Sequence, residues 1–364
     1  MKLRVGLLFG GRSVEHEVSI SSATSILKAL DRTRYDISVI EVDRSGHWHL
    51  RDADDFSAEE SGKGREITLA PVPDTATLFP VSAPARHAIA LDVIFPIIHG
   101  RGGEDGALQG LLELKEIAYV GSGVLGSAIQ MDKDIAKKLL SQAGLPVLPW
   151  LTFRQHELEE TRLELAVASV EDELGYPVFV KPANSGSSVG INKVRNADEL
   201  VAGLREALRH DDKLIVERGL DAREVEVAVL GDESPEASVP GEILPSHEFY
   251  DYAAKYLDSA TELLIPAPLA DDESLALREI AIAAFRAVDA AGMARVDFLI
   301  DRDSGQAYLN ELNSLPGFTD VSMYAQLWEA TGLPYPRLLD RLIDLALERH
   351  KRRSRFQRQF QGDA

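Results

Sequence analysis

Along the first third of the chain, short apolar runs alternate with amphipathic stretches. Residues 2–9 are apolar from Val5 onward and read as a buried strand, and Gly10, Gly11, Arg12 and Ser13 follow as a turn. Residues 14–30 carry apolar positions at helical spacing, with Ser13 as the expected N-cap. Residues 35–42 and 91–98 read as further strands, and residues 107–115 as a helix. Between them, residues 51–86 are polar and proline-rich with little periodicity, which predicts an insertion or irregular segment. Repeated β-α alternation predicts an α/β, Rossmann-like first domain over residues 1–131, with ligands gathering at the carboxyl ends of its strands.

From residue 132 the pattern changes. A helix over residues 132–144 and another over 157–174 precede a β-branched strand that ends in Lys181 and opens into Pro182, Ala183, Asn184, Ser185, Gly186, Ser187, Ser188, Val189 and Gly190. Such a loop offers backbone amides, hydroxyls and one cation close together, enough to fold over a triphosphate; an ordinary surface loop is the other reading, and the Walker spacing is absent. Residues 214–217 read as a short buried strand. Residues 224–230 alternate, so that Glu224 and Glu226 share a face, either to accept a ribose hydroxyl or as a solvated edge.

The most specific chemistry lies in two strands, residues 294–300 and 308–313, joined by the turn Asp301, Arg302, Asp303, Ser304, Gly305. A turn centred near Ser304 sets Asp297 opposite Glu311 and Arg295 opposite Asn313. Two carboxylates at cross-strand distance repel, so a positive group belongs between them. Asp, Glu and Asn form an all-oxygen set suited to Mg²⁺, and the segment runs on into Pro316, Gly317 and Phe318, where glycine permits close approach. Neutralisation of the pair by Arg295 is the competing arrangement.

Composition narrows the classes. The chain has 364 residues, enough for two or three compact units with clefts between them. Its net charge of −20 argues against a nucleic-acid partner, with the basic stretch 350–358 reading as a solvated tail. An acidic protein that binds a nucleotide needs local lysines, amides or a divalent cation at the phosphates. The chain has no cysteine, which excludes thiolate chemistry, and no apolar run of membrane-spanning length; a cytoplasmic location fits both. The first turn lacks G-x-G-x-x-G, which argues against a nicotinamide oxidoreductase, although a tight turn at a helix N-terminus still offers amides to an anion.

Taken together, the strand-Lys181-Pro182 step into a Gly/Ser loop and the R-x-D strand followed by E-x-N-x-x-P-G-F-T resemble the ATP-grasp enzymes and, within them, the D-alanine–D-alanine ligase family. The likeness includes residues 10–19, the Gly-rich run 99–106, Met131, Asp132 and Lys133, and residues 249–256, in the right order over nearly the whole chain. Ala253, where the family often has Glu, and Ser314, where Thr is common, depart from it.

The resemblance implies an ATP-grasp fold, with a Rossmann-like N-terminal domain (1–131) and two α+β domains (132–217 and 218–364) clamping the nucleotide. It implies that Lys133, Lys181 and Lys255 meet phosphates under a loop of Gly186, Ser187, Ser188 and Val189. Glu217 and Leu220 would hold adenine and Glu224 the ribose. Asp297 and Glu311 would bind one Mg²⁺ or Mn²⁺, and Glu311 and Asn313 a second. Glu15, networked with Ser187 and Tyr256, would pair with the ammonium of a first D-alanine, though its place at a helix start also suits the helix dipole. His99 would line the pocket, Ser322 and the backbone at 318–319 would hold the second substrate's carboxylate, and Arg295 with the Gly317 N–H would meet the tetrahedral oxyanion. The product would be D-alanyl-D-alanine for peptidoglycan precursors, made by a homodimer; D-Ser or D-lactate as second substrate, a different ATP-grasp ligase and a non-catalytic nucleotide module are the alternatives.

Overall fold

The computed structural model describes residues 2–53, 64–69, 77–82, 88–187, 189–244 and 262–356, so Ser188, Lys255 and Tyr256 lie outside the described residues. Among the described residues, three sheets carry the fold. The first has eight strands: β1 (Leu3–Gly10), β2 (Tyr35–Val42), β3 (Trp48–Arg51), β4 (Arg65–Leu69), β5 (Thr77–Pro80), β6 (Ile89–Ala90), β7 (Val93–Pro96) and β8 (Ala118–Tyr119), in the order β6-β5-β4-β3-β2-β1-β7-β8. The half from β2 to β8 is parallel, and from β2 to β6 the strands run antiparallel.

The antiparallel half corrects the expectation of an irregular segment at 51–86. β4 and β5 lie inside it, with Ile67 and Leu78 turned into the core. Strands of four or five residues with one or two inward side chains are too short to register as a period. The helix α1 (His16–Ala29) also starts later than Ser13 predicts. Val14, which extended the apolar pattern, is 62% exposed, and the Ser13 hydroxyl accepts from the Glu15 N–H at 2.9 Å instead of capping the helix. In the first turn two amides are already taken: Gly10 N–H donates to Ser19 Oγ and Gly11 N–H to Val42 O, both at 2.7 Å.

Three more helices follow: α2 (Ala107–Leu114), α3 (Val124–Met131) and α4 (Lys133–Gln142), the last capped by Asp132, whose carboxylate accepts from Ile135 N–H. The second sheet is antiparallel, β11-β10-β12-β9, built from β9 (Trp150–Arg154), β10 (Val178–Pro182), β11 (Asn192–Val194) and β12 (Lys213–Arg218), with α5 (Glu160–Glu173) and α6 (Ala197–Ala207) over it. Its core is its own: Val170, Val178, Val180, Leu200, Leu204, Leu214 and Val216 pack together.

The third sheet has β13 (Ala222–Gly231) at its centre, with β14 (Glu236–Ala237), β15 (Gly241–Leu244), β16 (Glu262–Leu264), β17 (Gly292–Asp301) and β18 (Ala307–Asn313). Helices α7 (Asp271–Ala287), α8 (Met323–Ala330) and α9 (Tyr335–Arg353) complete it. One of its faces shares a core with α3, α4 and α7; the other shares one continuous core with the first sheet through Phe318, Tyr324, Leu338 and Leu342. Phe318 sits at the centre of that seam, 5.9 Å from the Phe95 ring and 5.8 Å from Tyr335. Burying it fully is worth about 1.5–3 kcal/mol.

Candidate functional site

Two cavities meet between the sheets. One, of about 520 Å³, is lined among others by Glu15, Ser22, His99, Glu104, Ser187, Arg295, Gly317 and Ser322. The other, of about 480 Å³, is lined by Phe179, Lys181, Lys193, Glu217, Leu220, Glu224 and Asp297. Lys133, Ile191, Glu226 and Glu311 border both, so the junction falls on the hairpin of β17 and β18.

In that hairpin Asp297 lies opposite Glu311 and Arg295 opposite Asn313, the register expected from the turn. A bulge follows Asp297, shifting the pairing so that Phe298 faces Leu309. What the sequence did not reveal is a third carboxylate in the row. Glu226 of β13 pairs with Asp297 from the other side, so Glu226, Asp297 and Glu311 line up across three strands. Glu226 is 4% exposed and β13 is flanked by β15 and β17; the solvated edge is therefore ruled out.

Like charges in one row draw in cations. Arg295 grips both oxygens of Asp297 at 2.7 Å and lies 3.0 Å from Glu226, while Lys133 sits 3.4 Å from Glu311. These carboxylates hold the Arg295 guanidinium even further into its charged form despite burial. The Asn313 amide donates to Asp297 at 2.9 Å. Neutralisation by Arg295 is thus present, and among the described residues no group of three or more His, Asp or Glu forms a metal-holding cluster. Asp297 and Glu311 on the wall of the lysine-lined cavity, with Asn313 on that of the other, nevertheless fit Mg²⁺, which takes few protein oxygens and completes its shell with water and phosphate.

The first cavity is built around Glu15. Its carboxylate accepts the Ser187 hydroxyl across the gap between the first and second sheets. Two glycines let the chain close on it: a Cβ at Gly100 or Gly186 would stand 2.8 or 2.9 Å from Glu15 Oε2. Behind it, His99 is 3% exposed. Leu315 O can only accept, so His99 Nδ1–H donates to it at 2.9 Å; Nε2, 3.2 Å from Ser22 Oγ, is left to accept the hydroxyl proton. Burial lowers the imidazole pKa and keeps it neutral, against the pull of Glu15. Ser22 Oγ in turn accepts the Phe318 N–H at 3.2 Å. The loop carrying Gly317 is therefore pinned on both sides. Ser322 Oγ accepts from Thr319 N–H at 3.0 Å, and a Cβ at Gly317 would meet it at 3.3 Å.

Glu104, quoted within the Gly-rich run but given no role, is a group the sequence reading missed. It accepts from Gly100 N–H at 2.5 Å and Leu315 N–H at 3.1 Å, and burial together with the charge of Glu15 pushes its carboxyl up to about 8. Only its place beside Glu15, set by the fold, marks it.

Lys133, which borders both cavities, donates to Ser185 O at 2.8 Å, and the loop turns on Val189 N–H to Gly186 O at 3.2 Å. Leu220 and Glu224 lie on the wall of the second cavity. Glu217 lines the same cavity. Its carboxylate is 1% exposed and sandwiched between two ammonium groups, Lys181 at 2.5 Å and Lys137. Lys137 was also missed, although its place one turn after Lys133 on α4 was a usable signal.

Comparisons with known proteins give the family. The D-ala D-ala ligase N-terminus profile matches residues 4–122 and the D-ala D-ala ligase C-terminus profile residues 139–344. A D-alanine–D-alanine ligase of Heliobacterium modesticaldum is 50% identical over 98% of this chain and 97% of its own length. Among solved structures, the D-alanine–D-alanine ligase from Coxiella burnetii superposes with a TM-score of 0.84 at 39% identity, covering 97% of this chain and 96% of that one. The VanG D-Ala:D-Ser ligase from Enterococcus faecalis superposes with a TM-score of 0.85 at 34% identity, covering 95% of this chain and all of its own. With both halves matched and close relatives aligned end to end, this chain belongs to the D-alanine–D-alanine ligase family and has its ATP-grasp fold.

Proposed function

We propose that this chain joins two D-alanines into D-alanyl-D-alanine with ATP, for peptidoglycan precursors, releasing ADP and phosphate. The observation that carries the reading is the meeting of the two cavities at Glu311 and Lys133: one walled by groups suited to an amino acid, the other by lysines suited to phosphates.

The ammonium of the first D-alanine pairs with Glu15, which Ser187 orients. Its carboxylate then lies toward the junction, where it attacks the γ-phosphorus; the bond to the β-phosphate oxygen breaks and ADP leaves. Lys133 and Lys181 offset the phosphate charge, and the 186–189 loop closes over it. Asp297, Glu311 and Asn313 would hold one or two Mg²⁺ or Mn²⁺, which neutralise phosphate charge when bound. The second D-alanine sits with its carboxylate at Ser322 and the backbone at 318–319. Its neutral amine attacks the acyl carbon, the amine proton is lost and phosphate departs. Arg295 and the Gly317 N–H face the oxyanion, with the neutral pair of His99 and Ser22 keeping Gly317 in place. Lys255 and Tyr256 are assigned at the phosphoryl group and the Glu15 network from the family resemblance alone.

No helix among the described residues is long and apolar enough to cross a membrane. A cytoplasmic homodimer suits this reading, since exposed Leu111, Leu114 and Leu125 on α2 and α3 leave apolar surface for a second copy to cover. Domains at 1–131, 132–217 and 218–364 would give each sheet its own unit but for Arg218 at the end of β12, although α4, within the second range, packs on the third sheet. The test is product analysis with ATP, Mg²⁺ and a panel of D- and L-amino acids, D-serine and D-lactate included. D-alanine-dependent release of ADP, phosphate and the dipeptide is expected; AMP with pyrophosphate, or turnover indifferent to D-alanine, would sink the reading.

A further inference from the structure

Beneath the lysine-lined cavity lies a buried row of three charges. Lys137 points inward from α4 with its side chain 2% exposed, its ammonium against one oxygen of Glu217 and 5.8 Å from the centre of the Trp150 ring. The other Glu217 oxygen takes Lys181 Nζ at 2.5 Å, and Lys181 also reaches Asn310 Oδ1 at 3.3 Å and fronts the cavity. A structural ion pair needs only two members. Glu217 with Lys181 alone would be neutral, and a third buried charge adds a desolvation penalty that the fold has no use for.

We propose that Lys137 is a positioning residue for the nucleotide site: by engaging Glu217 it leaves the row with a net positive charge, so that Lys181 still presents a cation to the nucleotide phosphates. The inference rests on the ATP reading of this cavity and adds to it a residue that never touches the ligand. Without Lys137, Glu217 would stay paired, but Lys181 would be spent on it, and the row would be neutral toward an anion. Two of the titration directions agree, since the two ammonium groups hold Glu217 ionised against its burial and Lys181 is raised; at Lys137 burial lowers the ammonium against the pull of Glu217, with Lys181 and Glu311 further off.

The experiment is calorimetric binding of Mg-ATP and of adenosine to the full-length protein. Its readout is the ratio of the two affinities, because adenosine carries the base and ribose without the phosphates. Lys137→Met should lower that ratio about tenfold, the size expected of one unit charge about 10 Å from a phosphate at an effective dielectric of about 20. Lys137→Arg should retain most of it. The decisive variant is Lys137→Met with Glu217→Gln, which removes the charge that quenches Lys181 and should restore the ratio. An unmoved ratio in Lys137→Met, or a double variant no better than the single one, overturns the inference. If Lys137→Met does not fold, the double variant is read against Glu217→Gln alone, which keeps two cations and should show the higher ratio; equal ratios overturn the inference. Wild-type protein that binds no ATP would overturn the nucleotide reading together with it.

Discussion

Glu104 shows what burial does to a single side chain. Its carboxyl, ordinarily near 4.5, is raised to about 8 in the fold, so between those values the folded chain holds a proton that the unfolded chain releases. The stability it contributes is complete below about pH 4.5 and is lost as the pH rises through about 8. Glu104→Gln mimics the neutral form and should remove this slope, so urea midpoints at pH 5, 7 and 9 should show the variant gaining on wild type as pH rises. A constant difference between the two would mean that Glu104 is ionised throughout. Glu15 is the neighbouring case with a different test. Glu15→Gln should raise the KM for the first D-alanine at least tenfold, the worth of about 1.4 kcal/mol, with ATP binding kept. Lost nucleotide affinity with intact substrate affinity would take Glu15 off the substrate ammonium.

At the scale of the element, the β17-β18 hairpin was the most readable part of the site. A turn sequence fixes where two strands reverse, alternation fixes which side chains share a face, and together they give the register of Asp297 on Glu311 and Arg295 on Asn313. They do not give the third strand. Glu226 joins the row because β13 pairs with β17 across sixty residues of intervening chain, a contact no local pattern encodes. Glu311 is bordered by both cavities and by Lys133, so Glu311→Gln should abolish turnover, by a factor of at least about 100 on the scale of lost electrostatic stabilisation, while the fold persists. Circular dichroism with steady-state kinetics over a Mg²⁺ series decides it, and near wild-type rates would make the row purely structural.

For the whole molecule, the distribution of cores predicts how it opens. The first and third sheets share one apolar core through α8 and α9, whereas the second sheet with α5 and α6 packs on its own, joined to the rest by polar contacts such as Ser187 on Glu15 and Lys133 on Ser185 O. Units with separate cores open separately. Hydrogen exchange in the absence of ligand should therefore show amides of β9, β10 and β12 exchanging through a lower-energy opening than those of β1, β7, β13 and β17. ATP should slow the former. A single exchange class across all three sheets would show that the polar seams bind as firmly as a core.

The sequence by itself determined the elements with a strong period or a sharp turn: β1, β2, the hairpin and its carboxylate register, and the Lys181 strand opening into the Gly/Ser loop. Its departures from the structure have one physical source. Short strands such as β4 and β5 are held by neighbours rather than by their own pattern, and the Gly10-Gly11 amides are taken by Ser19 and Val42 once the chain is folded. Tertiary structure alone decided the rest, because charge and burial act through space. It placed Glu226 in the carboxylate row, raised Glu104, turned Glu217 toward two lysines, and buried Lys137 where its charge bears on Lys181.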